Sequence, residues 1–476
     1  MTIDLGPGAS TTIMASNKHL SAPLPTTKMP PAVPYILANE SAERFAFYGM
    51  SSILVVFMTQ NLMGAGGALD VMTDAAARKW FHLFTGSVYF MAIVGALISD
   101  LWFGKFRTII WFSLVYCAGF FVMTIDHTRV GLTAGLILIA MGSGIIKPCI
   151  SANVGDQFGP SNKHLIQKMY SWFYFSINVG AAVSMWFCPI LLDKWGPTVG
   201  FGVPAVSMVV ATLAYWLGRR KMVDIPPAGP RTWAEMFDRE QGGNLAKIGI
   251  IFLFVSMFFA LYYQSQSAWV LQAEKMDLTW LSHPWWSQER GLYLKSITWL
   301  PAQMQAANSV LVVLMIPAFA YFVYPALGRV WNMTLLRKMG IGLFITAVSF
   351  LVPIWIENQI QQGGQPSIGW QFVAYIFLTA AEVMVSVTAL EFAYTQAPNK
   401  MKSLIQAINL LSISLGNFIA TFVNMVIENA DGTSKLPGAS YYWFFAIAML
   451  ATSFLFIPIA RRYKPKDHIQ DEAPAQ

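Results

Sequence analysis

The chain has 476 residues, of which 55% are hydrophobic and only 12% charged, and its mean hydropathy is +0.50. Water-soluble domains carry about 25% charged residues, so this composition excludes a soluble globular protein and defines an all-α integral membrane protein. The formal charge of +7 does not point to nucleic acid, because the basic residues follow loop parity. With the N-terminus in the cytoplasm, 21 Lys and Arg fall in cytoplasmic segments, 8 in outer segments and two, Arg44 and Lys147, inside the membrane. A spanning helix needs about 20 apolar residues, and about twelve such stretches are present, centred near Val55, Ile93, Val115, Leu138, Ile177, Val209, Phe254, Leu314, Phe350, Tyr375, Ile413 and Leu450. An even number places both termini in the cytoplasm. The expected organisation is a disordered cytoplasmic tail at 1–33, a six-helix bundle at 34–218, a cytoplasmic linker at 219–245, a second six-helix bundle at 246–460 and a cytoplasmic tail at 461–476.

Residues 1–33 are rich in Ser, Thr and Pro and lack the apolar core of a signal peptide. The first span carries Glu40, Glu43 and Arg44. Helical spacing puts all three on one face, and each costs about 2.5–3.5 kcal/mol at bilayer depth. A packed ion pair and a solute and proton pathway both fit; the pathway is the expectation for intramembrane charge. The second span holds His82 and Tyr89 and ends in Asp100-Leu-Trp-Phe-Gly104-Lys105-Phe-Arg107. This run is similar to the loop between helices two and three of the major facilitator superfamily, where it is a conformational latch between halves. Lys147, near the end of the fourth span, either pairs with Glu40 or Glu43 or snorkels to the interface. Asn178 lies within the fifth span and needs a helix or ligand partner. Cys117, Cys149 and Cys188 sit in or beside apolar runs and imply no disulfide framework.

The seventh span, with Phe259, Tyr262, Tyr263, Gln264, Gln266, Ser267 and Trp269, reads as a cavity wall. Trp280, Trp285 and Trp286 follow as an interfacial belt. The eighth span has Gln303, Gln305 and Asn308; the tenth has Glu382 at its middle and Glu391 nearer the cytoplasm; the eleventh has Ser412, Ser414, Asn417 and Asn424. No HExxH, GxSxG or metal-ligand cluster lies in the spans, so the chain does not read as an enzyme and calls for no cofactor.

Taken together, these motifs resemble the proton-dependent oligopeptide transporter family of the major facilitator superfamily. The matching runs are Glu40-x-x-Glu43-Arg44-Phe45-x-Phe47-Tyr48-Gly49, Lys147-Pro148 with Asp156-Gln157-Phe158, and Phe173-Tyr174-x-x-Ile177-Asn178-x-Gly180. Phe201-Gly202-Val-Pro204 and Leu336-Arg-Lys338-Met-Gly340-x-Gly342 match too. The runs Pro301-x-Gln-Met-Gln-x-x-Asn308 and Ser386 to Pro398 look especially like animal peptide transporters. The resemblance extends from about Pro34 to about Arg461 and implies twelve helices in two six-helix bundles.

The family implies a plasma-membrane symporter that imports di- and tripeptides with protons, expected here as a monomer. The resemblance assigns the peptide carboxylate to Arg44 and Lys147 and its ammonium to Glu382, helped by Asn178 and Asn308. Tyr48, Tyr89, Phe259 and Trp269 line side-chain pockets in this reading, and Glu40, Glu43 and His82 carry coupling. Asp100, Gly104, Lys105 and Arg107 carry the conformational loop. Two positions depart from the family pattern. Ser51 stands where animal members place a second arginine, and Tyr263 stands where the seventh helix usually has an acid. The two are expected to be one ion pair lost together. They motivate an alternative with altered cargo, peptide-like or not, and altered or absent proton coupling.

Overall fold

The computed structural model describes residues 26–224, 239–280, 297–395, 402–429 and 433–463, with isolated positions 23, 226 and 227. The expected tails at 1–22 and 464–476, the linker at 228–238 and the Trp285–Trp286 belt lie outside the described residues.

Ten described helices are long and apolar enough to cross a membrane, and two details turn ten into twelve. The helix α1 (Val33–Val56) carries Glu40, Glu43 and Arg44, which lower its hydropathy. The helix Ile166–Leu217 has 52 residues, or about 78 Å at 1.5 Å per residue, against a hydrocarbon core of about 30 Å. It breaks at Gly196, whose φ of 75° favours glycine. The break gives two crossings, α5 (166–195) and α6 (197–217). The others are α2 (Asp74–Phe103), α3 (Lys105–Ile125), α4 (Arg129–Asp156), α7 (Ala246–Ala273), α8 (Pro301–Gly328), α9 (Leu335–Gln361), α10 (Gly369–Ala393) and α12 (Ala439–Arg462), with α11 at Lys402–Ile427. We call the face where α1 begins the near face and the opposite one the far face.

In the first half, α1 lies against both arms of the bent helix, and α4 packs on α2 and α3. Asn39 Nδ2 donates to Ala211 O at 2.8 Å, and Ser207 Oγ donates to Ala42 O at 2.9 Å. In the second half, α9 packs on α10 and α12, and α7 on α11 and α12. The halves meet through α2 on α11 and through the bent helix on α8. Two expected boundaries move. Ala32 is fully buried, Met29 packs on the core and Asn162 Nδ2 donates to Lys28 O at 3.3 Å, so packing starts before residue 33. The helix that becomes α7 begins at Arg239, inside the segment read as linker.

The far part of α7 unwinds at Tyr263–Gln266 into a tight 3-10 turn. Broken backbone at membrane depth needs partners inside the protein, and the second half supplies them. Tyr375 Oη donates to Ser265 O at 2.9 Å, Gln371 Nε2 to Trp269 O at 2.7 Å and Tyr442 Oη to Ala268 O at 3.1 Å. In α10 a π-helical segment, Val383–Val387, starts directly after Glu382. Such bulges recur at functional sites.

Candidate functional site

One pole of the site belongs to the first half. Arg44 Nε lies 3.1 Å from Glu40 Oε1, and its Nη2 lies 2.5 Å from Glu43 Oε2. All three residues are buried, Glu43 completely. Ser143 Oγ on α4 donates to Glu43 Oε1 at 3.4 Å. Lys147 lies within electrostatic reach of Glu40 and Glu43 but does not form the expected ion pair with either. Its Nζ is buried without a hydrogen-bond partner and stands over the Phe47 ring at 4.1 Å, with the Tyr89 ring at 5.5 Å. The ring quadrupole replaces a carboxylate. Phe47 offers that face without a hydroxyl.

The other pole is Glu382 on α10. Asn308 Nδ2 donates to Glu382 Oε2 at 2.8 Å and to Thr379 Oγ1 at 3.0 Å. Asn308 Oδ1 accepts from Tyr262 Oη at 3.0 Å, which fixes the amide orientation. Between the poles runs a chain of aromatics. Tyr263 Oη donates to Tyr89 Oη at 2.9 Å across the halves, and the Tyr262 and Tyr263 rings meet edge-on at 5.2 Å. Tyr48, Tyr89 and Tyr174 lie within electrostatic reach of Glu382. Lys147 is thus joined to Glu382 through Tyr89, Tyr263, Tyr262 and Asn308.

Hydrogen bonds between the halves run from mid-bundle to the far face. His82 Nδ1 lies 2.9 Å from Asn417 Oδ1 and its Nε2 lies 3.0 Å from Ser267 Oγ. Asn417 Nδ2 donates to Ile413 O at 3.0 Å, so its Oδ1 faces the imidazole. Ser51 Oγ donates to Gln266 Oε1 at 3.2 Å, Gln305 Nε2 to Ser52 O at 3.1 Å and Gln303 Nε2 to Trp186 O at 3.0 Å. Ser51 and Tyr263 are therefore not partners: each has its own neutral bond across the halves. Farther out come ion pairs, Lys79 with Glu428 and Lys275 with Asp74 at 3.7 Å.

Several expected roles are displaced. Asn178 Nδ2 donates to Tyr174 O of its own helix at 2.9 Å, and Asn308 alone of the two asparagines is hydrogen-bonded to Glu382. Phe259 is buried among Phe258, Tyr262 and Tyr263. Trp269 is fully buried against Phe350 and Tyr375, in the core of the second half rather than on a pocket wall. In the loop after α2, Gly104 has φ 73°, and Lys105 Nζ reaches Asp156 Oδ2 at 2.5 Å. Asp100 Oδ1 accepts from Ser99 Oγ at 3.2 Å. The latch loop thus bonds within its own half here, and Arg107 is exposed. Sequence reasoning passed over Tyr262, Gln303, Gln305 and Asn417 as site residues. Their signal was polar side chains recurring in apolar spans.

Twelve crossings among the described residues, in two bundles with charges of opposite sign on either side of the seam, define a membrane protein of the major facilitator superfamily fold. The chain belongs to the POT family, the proton-dependent oligopeptide transporters, whose model matches residues 106–239 and 231–444. It is 33% identical over 394 residues to peptide transporter family 1 of Drosophila melanogaster, covering 73% of this chain and 50% of that one. It is 30% identical over 421 residues to human (Homo sapiens) solute carrier family 15 member 2, covering 77% and 54%. The chain spans about half the length of the curated relatives it matches. A crystal structure of an auto-inhibited POT family peptide transporter superposes with a TM-score of 0.79 at 30% identity, covering 93% of this chain and 99% of that chain.

Proposed function

We propose that this chain is a proton-coupled symporter that imports di- and tripeptides by alternating access. The observation that carries this reading is the bridge from Lys147 through Tyr89, Tyr263, Tyr262 and Asn308 to Glu382. A peptide is a zwitterion, and this seam presents a cation in one half and an acid in the other. Lys147, whose Nζ has no hydrogen-bond partner among the described residues, takes the peptide carboxylate. Glu382 takes the ammonium. Binding across both halves favours the state in which they close on the solute.

Coupling follows from Arg44. Its guanidinium is held by both Glu40 and Glu43, and a proton on either carboxylate frees part of that planar fork for substrate. Two carboxylates against two cations, plus Glu382, leave one negative charge in excess. A zwitterion does not change that excess and a proton cancels it. His82 suits a coupling role as well. With Nε2 neutral it accepts from Ser267 Oγ; protonated, it donates there while Ser267 turns to Tyr263 O, 3.2 Å away. Both states keep their hydrogen bonds.

The charge bias makes the near face cytoplasmic, so the far closure faces outward and the protein, a monomer in the plasma membrane, is poised toward the cytoplasm. Altered cargo is not favoured, because Ser51 and Tyr263 both find neutral partners and the relatives are peptide transporters by name. Uptake of dialanine into proteoliposomes, with and without an inward acid gradient, is the test. Uptake indifferent to the gradient removes the coupling, and no uptake across a peptide panel removes the substrate class.

A further inference from the structure

A cavity of about 420 Å³ lies at the far face, away from Arg44 and Glu382. Its wall includes Asp74 and Arg78 at the start of α2, Gln272 and Lys275 at the end of α7, Glu357 near the end of α9, and Tyr441 on α12. Small-molecule pockets run from about 300 to 1,000 Å³, so the space suits an amino acid or dipeptide.

Both signs of charge are present, and each is held in place. The Arg78 guanidinium lies over the Tyr441 ring at 4.6 Å, and its Nε donates to Asn424 Oδ1 at 3.3 Å. That leaves its terminal amino groups as a fork for a carboxylate. Lys275, 3.7 Å from Asp74, adds positive charge at the rim. On the acidic side, Gln272 Nε2 donates to Glu357 Oε2 at 2.9 Å and to Pro353 O at 3.0 Å. Glu357 is 8% exposed. Gln272 Oε1 is buried without a hydrogen-bond partner. A buried acceptor left unpaired is costly, and an ammonium group supplies three donors.

We propose that this cavity is a second binding site, for a small zwitterion whose carboxylate meets Arg78 and whose ammonium meets Glu357 and Gln272. The site is made of both halves, α2 from the first and α7, α9 and α12 from the second. Its walls come together when the far face is closed, so its ligand binds that state better and shifts the population toward it. Solute at high concentration on the far side then holds the seam shut and slows import. The ligand class rests on the cavity alone; the effect on import rests on the transport reading above.

The experiment is a thermal-shift titration of the full chain in nanodiscs, in a Glu382→Gln background that removes the central acid. The probes are L-alanine, propylamine and propionate. L-alanine raises the midpoint and saturates. Adding Glu357→Gln weakens L-alanine and propylamine by about tenfold or more, the scale of a lost charged hydrogen bond. Arg78→Gln weakens L-alanine and propionate but spares propylamine, and it carries the test if the Glu357 variant does not fold. Shifts indifferent to both substitutions, or no shift with any probe, overturn the site. Shifts that follow Arg78 and Glu357 in a protein that imports no peptide uphold it and remove only its link to import.

Discussion

In the first half, Arg44 is gripped by two carboxylates while Lys147 rests on a phenyl ring. In the second half, Glu382 is held by an amide and, among the described residues, by no cation. The first pole is largely neutralised from within, and in the proposed mechanism a proton releases its charge. The second has no cationic partner among the described residues, and in the proposed mechanism a substrate ammonium completes it. The proposed mechanism rests on this difference, with the proton assigned to the first pole and the peptide amine to the second.

The sharpest way to break this comparison is Arg44→Gln. It strands Glu40 and Glu43 as buried charges, a loss of about 3–5 kcal/mol, and uptake disappears; a melting curve beside an uptake assay reads both. Glu382→Gln comes next. Uptake of free-amine peptides falls by about 100-fold, in line with about 2.7 kcal/mol for a charged contact, and discrimination against N-acetylated peptides is lost. Competition assays with paired free and blocked peptides measure it, and retained discrimination places the ammonium elsewhere.

Lys147→Met separates the two cations. No carboxylate loses a hydrogen-bonded ion-pair contact and one desolvated cation is removed, so the melting temperature changes far less than in Arg44→Gln, while uptake falls by about tenfold, the scale of one charged contact. A stability loss like that of Arg44→Gln removes the distinction between them.

The smallest effect lies at the far rim, at Glu274, just beyond α7. Burial and the neighbouring Asp74 push its carboxyl up to about 7, against an opposing hydrogen bond from Gln60 and the nearby Lys275. Solvated in an opened seam, a glutamate titrates near about 4.3. The closed form therefore binds the extra proton between these values; closure is favoured below that window's upper edge and weakens as pH rises through about 7. Maleimide labelling of a Ser51→Cys variant from the far side should rise a few-fold from pH 6 to pH 8, and Glu274→Gln should flatten the profile.

The spans, the shared face of Glu40, Glu43 and Arg44, and the isolation of Glu382 were all legible in the sequence, because charge in an apolar run is conspicuous. The setting of Lys147 was not, since a cation on a ring face leaves no charge pattern to read. The resemblance placed both Asn178 and Asn308 beside Glu382, and sequence could not separate them, because an amide bonded to its own helix has the same spacing as one facing a ligand. The seam was the least legible part. No proline or glycine marks the turn at Tyr263–Gln266, and that turn decides that Ser51 meets Gln266.

The unwound turn of α7 has a mechanical consequence. Three side chains of its own half hold carbonyls in it and just after it, at Ser265, Ala268 and Trp269, so it travels with that half like a tooth fixed to one side of a zip. At mid-bundle, parting the zip breaks neutral bonds to Ser51, Ser52, Tyr89 and His82, and farther out it also parts partly exposed ion pairs, Lys79 with Glu428 and Lys275 with Asp74. Interhelical bonds in membranes average about 0.6 kcal/mol, so these mid-bundle bonds hold the seam with only a few kcal/mol. A solute bound with millimolar affinity commands about 4 kcal/mol, enough to work such a fastener in either direction.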